Sequence, residues 1–587
     1  MIKDCQNIFE NKLDVYGDKF IIDRVTPKDG TYYLIKIKDN DFEVMDPIEI
    51  KFNKKTKQLE CSDSFYLQLI RSLEYYSKLI DMNKCLDRKK TIHSNNFLSF
   101  AVKKDSISSK KLTIDVINGY YDLFKDMTTK YKGKSLKLYK KTVDKIGEAD
   151  CELVDRIRAW VLENIWSFDE NMDKKDYLKL FFIYDDEEQT VEAYKKEGER
   201  YLIPNVYNSN EYNVKVGEDI YGLPNNNIGM NAKKPYLANK KRGGNEIPYL
   251  LNEKEVVAQS KFFDYLYGLV ASGHYDVYFD EIEQDIIDLL PGEHLEREVS
   301  GYYMRLSKEK NEASIDRFEI VPCFVPQLRK TFRYKKLFFE IDRNEDVITD
   351  SKNVLEGMVN EVFFSKYLCT NYFTNPKDIL LNDAVLKECL AFGREALFSW
   401  FHTNDSTDIT YVVDRIFLNI IKNSIGHGNL NNVRRQINLR ISLQDYLNNN
   451  DEKEKEMIEY NENFRAHCKS DESWDFTDDN EYYYAVGQVL ETFIKKNKSA
   501  KRPLSQMNVY LNAKDDDMIK IMLTRDFKKY NYDIFDYQVR FKNVFSKIMA
   551  YRPKAKVNQQ IMIAGALADN IFFEKREKEE VSENEEQ

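Results

Sequence analysis

The alternation of apolar and polar positions in the first third of the chain predicts short strands mixed with helices. Residues 33–38 alternate in the manner of a half-buried strand, and Asp29-Gly30 just before them is a turn signal. Residues 42–52 and 177–184 predict further strands, and residues 64–80 a helix. The pattern therefore indicates a mixed α/β region.

The pattern breaks between Gly222 and Gly244, where the sequence GLPNNNIGMNAKKPYLANKKRGG has no sustained period. This segment is expected to be an ordered loop or a pair of loops. A helix is predicted over residues 253–272. Two strands are predicted over residues 299–307 and 313–321, joined by a charged turn.

Beyond about residue 345 the apolar period becomes 3.6, as in the stripe of apolar side chains over residues 409–421. Seven further helices are predicted, over residues 351–368, 378–401, 431–447, 478–497, 515–530, 536–550 and 557–572. We therefore expect an α+β protein with a mixed α/β domain over residues 1–345 and an all-α helical bundle over residues 346–587. The polar stretch Asn448–Glu456 is expected to divide the bundle.

Composition excludes a disordered chain, because 42% of the 587 residues are apolar and 13% are aromatic. None of the eight cysteines forms a C-x-x-C pair, and no apolar run reaches the ~20 residues of a membrane span. We expect a cytoplasmic protein with reduced thiols and no membrane partner. The net charge of −10 argues against a uniformly basic nucleic-acid binder, so any such contact is confined to basic islands.

Motifs for catalysis and for metal binding are weak. The six histidines are scattered, and the sequence contains no P-loop and no G-x-S-x-G, so neither a metal nor a cofactor is expected. One carboxylate pair, Glu340 and Asp342, leaves a metal-dependent nuclease as an alternative. In a chain with 99 acidic residues such a pair is common by chance.

Four basic islands remain, at residues 103–111, 130–141, 329–336 and 495–502. Cations neutralise phosphates and neighbouring aromatic rings can stack on bases, although a lysine run alone is equally often a solvated face. The candidate DNA contacts in the last two islands are Arg329, Lys330, Arg333, Lys495, Lys496, Lys498, Lys501 and Arg502.

The segment from Gly222 to Gly244 is the most specific candidate, because it combines side-chain amides with cations. Amides suit base edges and cations suit phosphates. The candidate base readers are Asn225, Asn226, Asn227 and Asn231, and the candidate phosphate contacts are Lys233, Lys234, Lys240, Lys241 and Arg242. The alternative is a flexible polar loop whose asparagines only form turns.

Five stretches in this order resemble the large subunit of type I-B CRISPR surveillance complexes. They are LPNNNIGMNAKKPYLANKKR, YYMRLSKEKNEASIDRFEIVP, EYYYAVGQVLETFIKK, YQVRFKNVFSKIMAY and IMIAGALADNIFF. The resemblance covers roughly residues 200 to 572, and its motifs are structural more than chemical.

The resemblance implies a subunit that is not itself an enzyme. Its expected role is to recognise the protospacer-adjacent motif (PAM) of double-stranded target DNA, through the loop at 222–244, and to help open the duplex. Implied partners are the crRNA, the displaced single strand, the backbone and small subunits of the complex, and a separate helicase-nuclease. The resemblance also implies that about residues 457–573 are similar to a small subunit. Cysteine pairs that suggest zinc in some relatives are missing here.

The codons for Lys453–Glu456 can spell a ribosome-binding sequence just before Met457. We therefore hypothesise an internal start at Met457, against the alternative of an ordinary charged linker. A purely structural RNA-binding scaffold is the remaining functional alternative.

Overall fold

The computed structural model describes residues 2–53, 58–79, 85–168, 175–207, 213–224, 250–309, 312–340, 347–470, 472–497, 503–535 and 538–574. The chain is an α+β protein, as its pattern predicts. It divides into two compact units. The first comprises Met1–Glu293 and Val299–Pro322, and the second comprises His294–Glu298 and Cys323–Gln587. The main division therefore precedes residue 345.

The strands are β1 (Gly30–Ile37), β2 (Phe42–Val44), β3 (Ile48–Asn53), β4 (Gln58–Cys61), β5 (Ser99–Lys103), β6 (Tyr177–Ile183), β7 (Val214–Val216), β8 (Asp219–Tyr221), β9 (Asp276–Asp280), β10 (Asp285–Leu289), β11 (Val299–Glu309), β12 (Glu312–Phe324), β13 (Gln327–Arg333) and β14 (Ile348–Ser351).

The helices of the first unit are α1 (Ile2–Tyr16), α2 (Lys19–Ile22), α3 (Leu67–Ser77), α4 (Lys104–Ser108), α5 (Ile114–Lys125), α6 (Lys134–Ile146), α7 (Cys151–Asn164), α8 (Glu187–Asn205) and α9 (Glu253–Ser272).

The helices of the second unit are α10 (Lys352–Val362), α11 (Ala384–Phe398), α12 (Ile409–Tyr411), α13 (Phe417–His427), α14 (Leu430–Asn448), α15 (Glu452–Lys469), α16 (Asp479–Lys496), α17 (Met507–Leu511), α18 (Asp516–Tyr530), α19 (Val539–Ala550) and α20 (Gln559–Leu567). Residues 399–403 and 412–416 are π-helical turns.

The first unit is built on a mixed sheet with strand order β4-β3-β1-β6-β5, in which β2 also pairs with β1. The central pair β1 and β6 is parallel, and the flanking pairs are antiparallel. A second sheet has the order β10-β9-β11-β12. Inside the first sheet the buried ammonium of Lys179 contacts the carboxylate of Glu74 and the hydroxyl of Tyr32. This polar pair lies among residues that are otherwise apolar, so it constrains how β6 packs on α3.

One hydrophobic core fills the second unit, from Leu328 on β13 to Ile571 beyond α20. It contains residues on both sides of the polar stretch Asn448–Glu456, where a dividing segment is expected. That stretch covers the end of α14 and the start of α15. Met457 is 4% exposed and lies within α15, so the hypothetical internal start falls inside a helix of this core.

Two glycines allow α16 and α20 to cross at close range. A Cβ on Gly487 would lie 2.2 Å from the carbonyl oxygen of Met562, and one on Gly565 would lie 2.2 Å from that of Tyr484. Both glycines belong to stretches that carry the family resemblance. The crossing explains them as packing residues.

No helix in the described part of the chain is long and apolar enough to cross a membrane.

Candidate nucleic-acid interface

The described residues on either side of the loop predicted to recognise DNA pair with each other in the first unit. Gly222 and Leu251 exchange two backbone hydrogen bonds of 2.9 and 3.0 Å, and the buried Tyr207 donates its hydroxyl to the carbonyl oxygen of Leu251 at 3.2 Å. Asn252 then caps α9 by accepting a hydrogen bond from the backbone N–H of Glu255, whose carboxylate accepts one from Asn252. The flanks of the segment are thus held together by main-chain and capping contacts.

Leu223 and Pro224, at the start of this segment, are buried, and the preceding Gly222 is closely packed. A Cβ there would lie 2.4 Å from the ring of Tyr207 and 2.5 Å from the side-chain oxygen of Asn213. The predicted DNA contacts of the loop lie outside the described residues and stay predictions: Asn225, Asn226, Asn227, Asn231, Lys233, Lys234, Lys240, Lys241 and Arg242.

The first five residues of the basic island at 329–336 lie on β13, where strand alternation places Phe332 on the opposite face from Arg333. Arg329 and Arg333 are exposed. Neither guanidinium has an ion pair or a hydrogen bond with another of the described residues. Lys330 is half-buried, and its ammonium lies 5.1 Å from the centre of the Tyr446 ring. The strand therefore presents two available arginines.

Phe332 and Tyr334 are buried, at 0% and 1% exposure, within the core of the second unit. These rings cannot stack on bases, so the expected interleaving of cations with base-stacking aromatics is wrong for this island. The same alternation that exposes the arginines turns the rings inward.

Lys335 continues the island but faces inward. Its ammonium lies 3.0 Å from Asp445, 2.8 Å from Asp451 and 2.8 Å from Glu454. These three acids form the one group of possible metal-ligand atoms found among the described residues. Burial lowers the pKa of Lys335, but hydrogen bonds to the three carboxylates outweigh it and hold the pKa above its usual value. The ammonium thus takes the place that a cation would occupy.

The island at 495–502 differs, because its described lysines already have partners. Lys495 forms an ion pair with Glu491 at 2.7 Å, and its ammonium lies 4.8 Å from the centre of the Phe573 ring. Lys496 pairs with Asp533 at 3.1 Å, with its side chain only 7% exposed. Lys498, Lys501 and Arg502 lie outside the described residues.

Some cations of the two N-terminal islands have structural contacts within the first unit, whereas others, such as Lys110, Lys111 and Lys140, are exposed. Lys104 is buried and pairs with Asp176 at 3.1 Å. Lys134 donates to the backbone of Asn213 at 2.8 Å, and the ring of Tyr131 is buried. These contacts favour a structural role for the residues concerned.

Glu340, of the alternative nuclease pair, is 3% exposed. Its carboxylate accepts hydrogen bonds from the hydroxyl of Tyr334 and, at 2.8 Å, from the amide of Asn438. Asp342 lies outside the described residues. The contacts of Glu340 fix the chain after β13 against α14 and do not present it to a substrate.

The second unit also contains a cavity of about 260 Å³ that the sequence patterns do not predict. At its floor Glu356 accepts a hydrogen bond from the hydroxyl of Tyr372 and lies 2.9 Å from Nε2 of His402 and 3.5 Å from Nδ1 of His294. His402 lies in the π-helical turn 399–403 and stacks on Phe398 with ring centres 4.6 Å apart. His294 and His402 are 108 positions apart, so no local spacing could have revealed the cluster.

The pKa values of three residues that line the cavity are shifted by their surroundings. Burial raises the pKa of Glu356, but the neighbouring His402, Tyr372 and His294 outweigh it and hold the pKa below its usual value. Burial also lowers the pKa of His294. Burial, together with repulsion from Arg329, lowers the pKa of Lys352 to about 8. Such shifts are typical of functional sites, although structural ion pairs produce them too.

Comparison with models of known protein families, with curated proteins and with solved structures found no match for this chain.

Proposed function

We propose that this chain is the large subunit of a type I-B CRISPR surveillance complex and that it recognises the PAM in double-stranded target DNA. It promotes pairing of the crRNA with one strand, and it holds the displaced strand for a helicase-nuclease. The observation that carries the proposal is the order of the five family-like stretches between about residues 200 and 572.

The described residues add physical support at two places. Gly222, at the start of the predicted loop, pairs with Leu251 in the first unit, so the described flanks of the segment are held together. In the second unit, Arg329 and Arg333 project from β13 without internal partners among the described residues. Exposed arginines of this kind contact phosphates without reading sequence.

Side-chain chemistry suggests different roles for the amides and the cations of the loop. We assign base reading to the amides of Asn225, Asn226, Asn227 and Asn231, and phosphate contact to the lysines and the arginine that follow them. Replacing Asn225–Asn227 by alanine in the assembled complex is expected to abolish the preference for targets that carry the PAM, while assembly stays intact. Electrophoretic mobility shifts with duplexes that differ only in the flanking motif measure this preference.

The two alternatives give different results in the same experiments. A structural scaffold predicts that the Asn225–Asn227 variant fails to assemble, which size-exclusion chromatography with crRNA detects. A nuclease predicts divalent-dependent DNA cleavage by the purified chain, lost when Glu340 and Asp342 are changed. The buried hydrogen bonds of Glu340 favour a structural use of that carboxylate.

The internal start at Met457 stays a separate proposal. Recoding Lys453–Glu456 with synonymous codons that weaken the purine-rich sequence is expected to remove a product of residues 457–587, detected by immunoblotting of a C-terminal tag. The matched control recodes an equally long lysine- and glutamate-rich stretch elsewhere in the gene. A product that never appears, or that persists after recoding at 453–456, contradicts the hypothesis.

A further inference from the structure

Lys352 differs from the other buried lysines in the described part of the chain. Five lysines are buried there. Four of them pair with a carboxylate: Lys104 with Asp176, Lys179 with Glu74, Lys335 with Asp445, and Lys520 with Asp516. Lys352, at 5% exposure, has no carboxylate within ion-pair distance among the described residues.

The contacts of Lys352 are with neutral groups. Its ammonium donates a hydrogen bond to the side-chain oxygen of Asn404 at 2.8 Å and lies 4.5 Å from the centre of the Phe324 ring. Asn404 is held in turn by its own hydrogen bond to the carbonyl oxygen of Cys323 at 3.0 Å. Buried charges are normally paired, because the loss of hydration is otherwise uncompensated. The ammonium therefore lacks a counterion within the part of the chain that the structure describes.

The missing counterion can come from the cavity of about 260 Å³, since Lys352 lines it. Lys352 is the first residue of the 11-residue helix α10, and Ser351 and Asn353 at the same helix end also line the cavity. Arg329 on β13 is close enough to repel the Lys352 ammonium. Lys352 thus contributes a buried ammonium to the cavity wall at the N-terminal end of α10.

The carboxylates of the cavity do not satisfy this positive charge. Glu356 is engaged by the hydroxyl of Tyr372 and by the imidazoles of His402 and His294. Glu296 also lines the cavity, but it is exposed to solvent. An apolar part of the wall is formed by Leu295, Phe324, Pro326 and Phe401, and Ser351 and Asn353 add polar groups. A ligand with one anionic end and an apolar body matches this arrangement.

We propose that this cavity is a phosphate-binding site, in which Lys352 contacts the phosphate group and the apolar part of the wall accepts the organic part of the ligand. The proposal does not depend on the function proposed above. The phosphate can belong to a free phosphomonoester or to a nucleic-acid backbone, and both present the same anionic oxygens to Lys352.

Calorimetric titration of the full-length protein tests the site with inorganic phosphate and with a nucleoside monophosphate, in chloride buffer. The wild type and the control Lys514→Met, at an exposed lysine of the same unit, are expected to bind at least one of the two. Lys352→Met is expected to bind at least ten-fold more weakly and Lys352→Arg to retain most of the affinity. Equal binding by wild type and Lys352→Met overturns the proposal.

Protection of Lys352 against acylation gives a second readout that does not depend on a variant folding. The rate of acylation, followed by peptide mass spectrometry, is expected to fall at Lys352 but not at Lys514 when the ligand binds. Protection by the monophosphate identifies a free ligand. Protection by a single-stranded oligonucleotide alone identifies a backbone phosphate. If phosphate, monophosphate and oligonucleotide all leave the rate unchanged, the site does not bind phosphate.

Discussion

The two basic islands of the second unit are both rich in cations but lie in different structures. Arg329 and Arg333 lie on β13 and are exposed, whereas Phe332 on the same strand, and Tyr334 and Lys335 just beyond it, are buried. The described lysines at 495 and 496 end a helix, where Glu491 and Asp533 pair with them. A count of cations therefore does not measure the cations available to DNA. The structure around the cations determines which of them are available to bind DNA.

Removing the inward cation of the strand island is expected to have the largest effect. Lys335→Met leaves the carboxylates of Asp445, Asp451 and Glu454 facing one another, with Asp445 only 2% exposed. Losing one partner of a buried ionic group costs about 3 kcal/mol. Urea denaturation, with Lys514→Met as control, should show this loss. A stability loss as small as that of the control would show that Lys335 is not structural.

Added Ca²⁺ should partly restore the stability of the Lys335→Met variant. Removing the ammonium frees three carboxylates whose oxygen atoms lie within 4.8 Å of one another, and oxygen ligands of this kind suit calcium. The wild-type melting temperature should not respond to calcium, because the ammonium fills the cluster. A rise of equal size in both proteins would contradict this use of Lys335.

A pH-dependent effect of about 2 kcal/mol is expected at Lys352, beside the strand island. Its pKa falls from 10.5 to about 8 on folding, so between these values the unfolded chain binds more protons. Wild-type stability should therefore rise with pH across that window. The full shift corresponds to about 3 kcal/mol, and we expect solvent screening to reduce this value.

Lys352→Met should abolish this dependence. The variant should be more stable than wild type at pH 7 and about equally stable near pH 10.5, in denaturation curves measured without phosphate. Other titratable or charged groups near the Lys352 ammonium can also change the pH dependence of stability. They are Arg329 on β13, Cys323 on β12, Glu356 on α10, and His294, Glu296 and His402 at the cavity wall. If the stabilities of wild type and Lys352→Met change in parallel between pH 8 and pH 10.5, the lowered pKa of Lys352 is contradicted.

The outward cations of the strand island should affect DNA binding rather than stability. The double variant Arg329→Ala/Arg333→Ala is expected to weaken binding of the assembled complex about ten-fold, equally for all sequences. The slope of log K against log salt should fall by about one for each phosphate that the variant no longer neutralises. Fluorescence anisotropy at several salt concentrations measures both the affinity and the slope. An unchanged salt slope would show that β13 does not contact phosphates.

The smallest effect on DNA binding is expected from the helix island. Lys495 and Lys496 already neutralise acidic partners, so changing both to alanine should alter DNA affinity less than two-fold. Instead it should cost about 0.5–1 kcal/mol of stability, mainly through the Lys496–Asp533 pair. A loss of affinity as large as that of the arginine variant would remove the distinction between the islands.

Much of the fold was predictable from the sequence because local signals agree with the packing. Helix α9 has the predicted bounds, with a capping asparagine at 252 and a left-handed glycine at 273. The strands predicted at 299–307 and 313–321 are β11 and β12. The single strand predicted over residues 42–52 is instead two, β2 and β3, and Pro47 lies between them without an N–H for the ladder.

Helix α15 was missed because its first turns carry few apolar residues. Its Met457, Phe464 and Cys468 nevertheless lie on the buried side, and Lys453 pairs with Glu456 at 2.9 Å. The cavity around Glu356 could not be predicted either, since its groups come together only through tertiary packing. Sequence patterns report an element's own period and ends, whereas such a cavity depends on contacts between distant elements.

The proposed recognition of the PAM is tested most directly by comparing surveillance complexes assembled with and without this chain. Each is made with the crRNA and the backbone subunits, and binding is measured on two target duplexes that differ only in the flanking motif. With the chain present, the account predicts tight binding to the duplex with the correct motif and at least a hundred-fold weaker binding to the other. Without the chain the preference should vanish. A preference that persists without this chain, or that never appears with it, would contradict the proposed function.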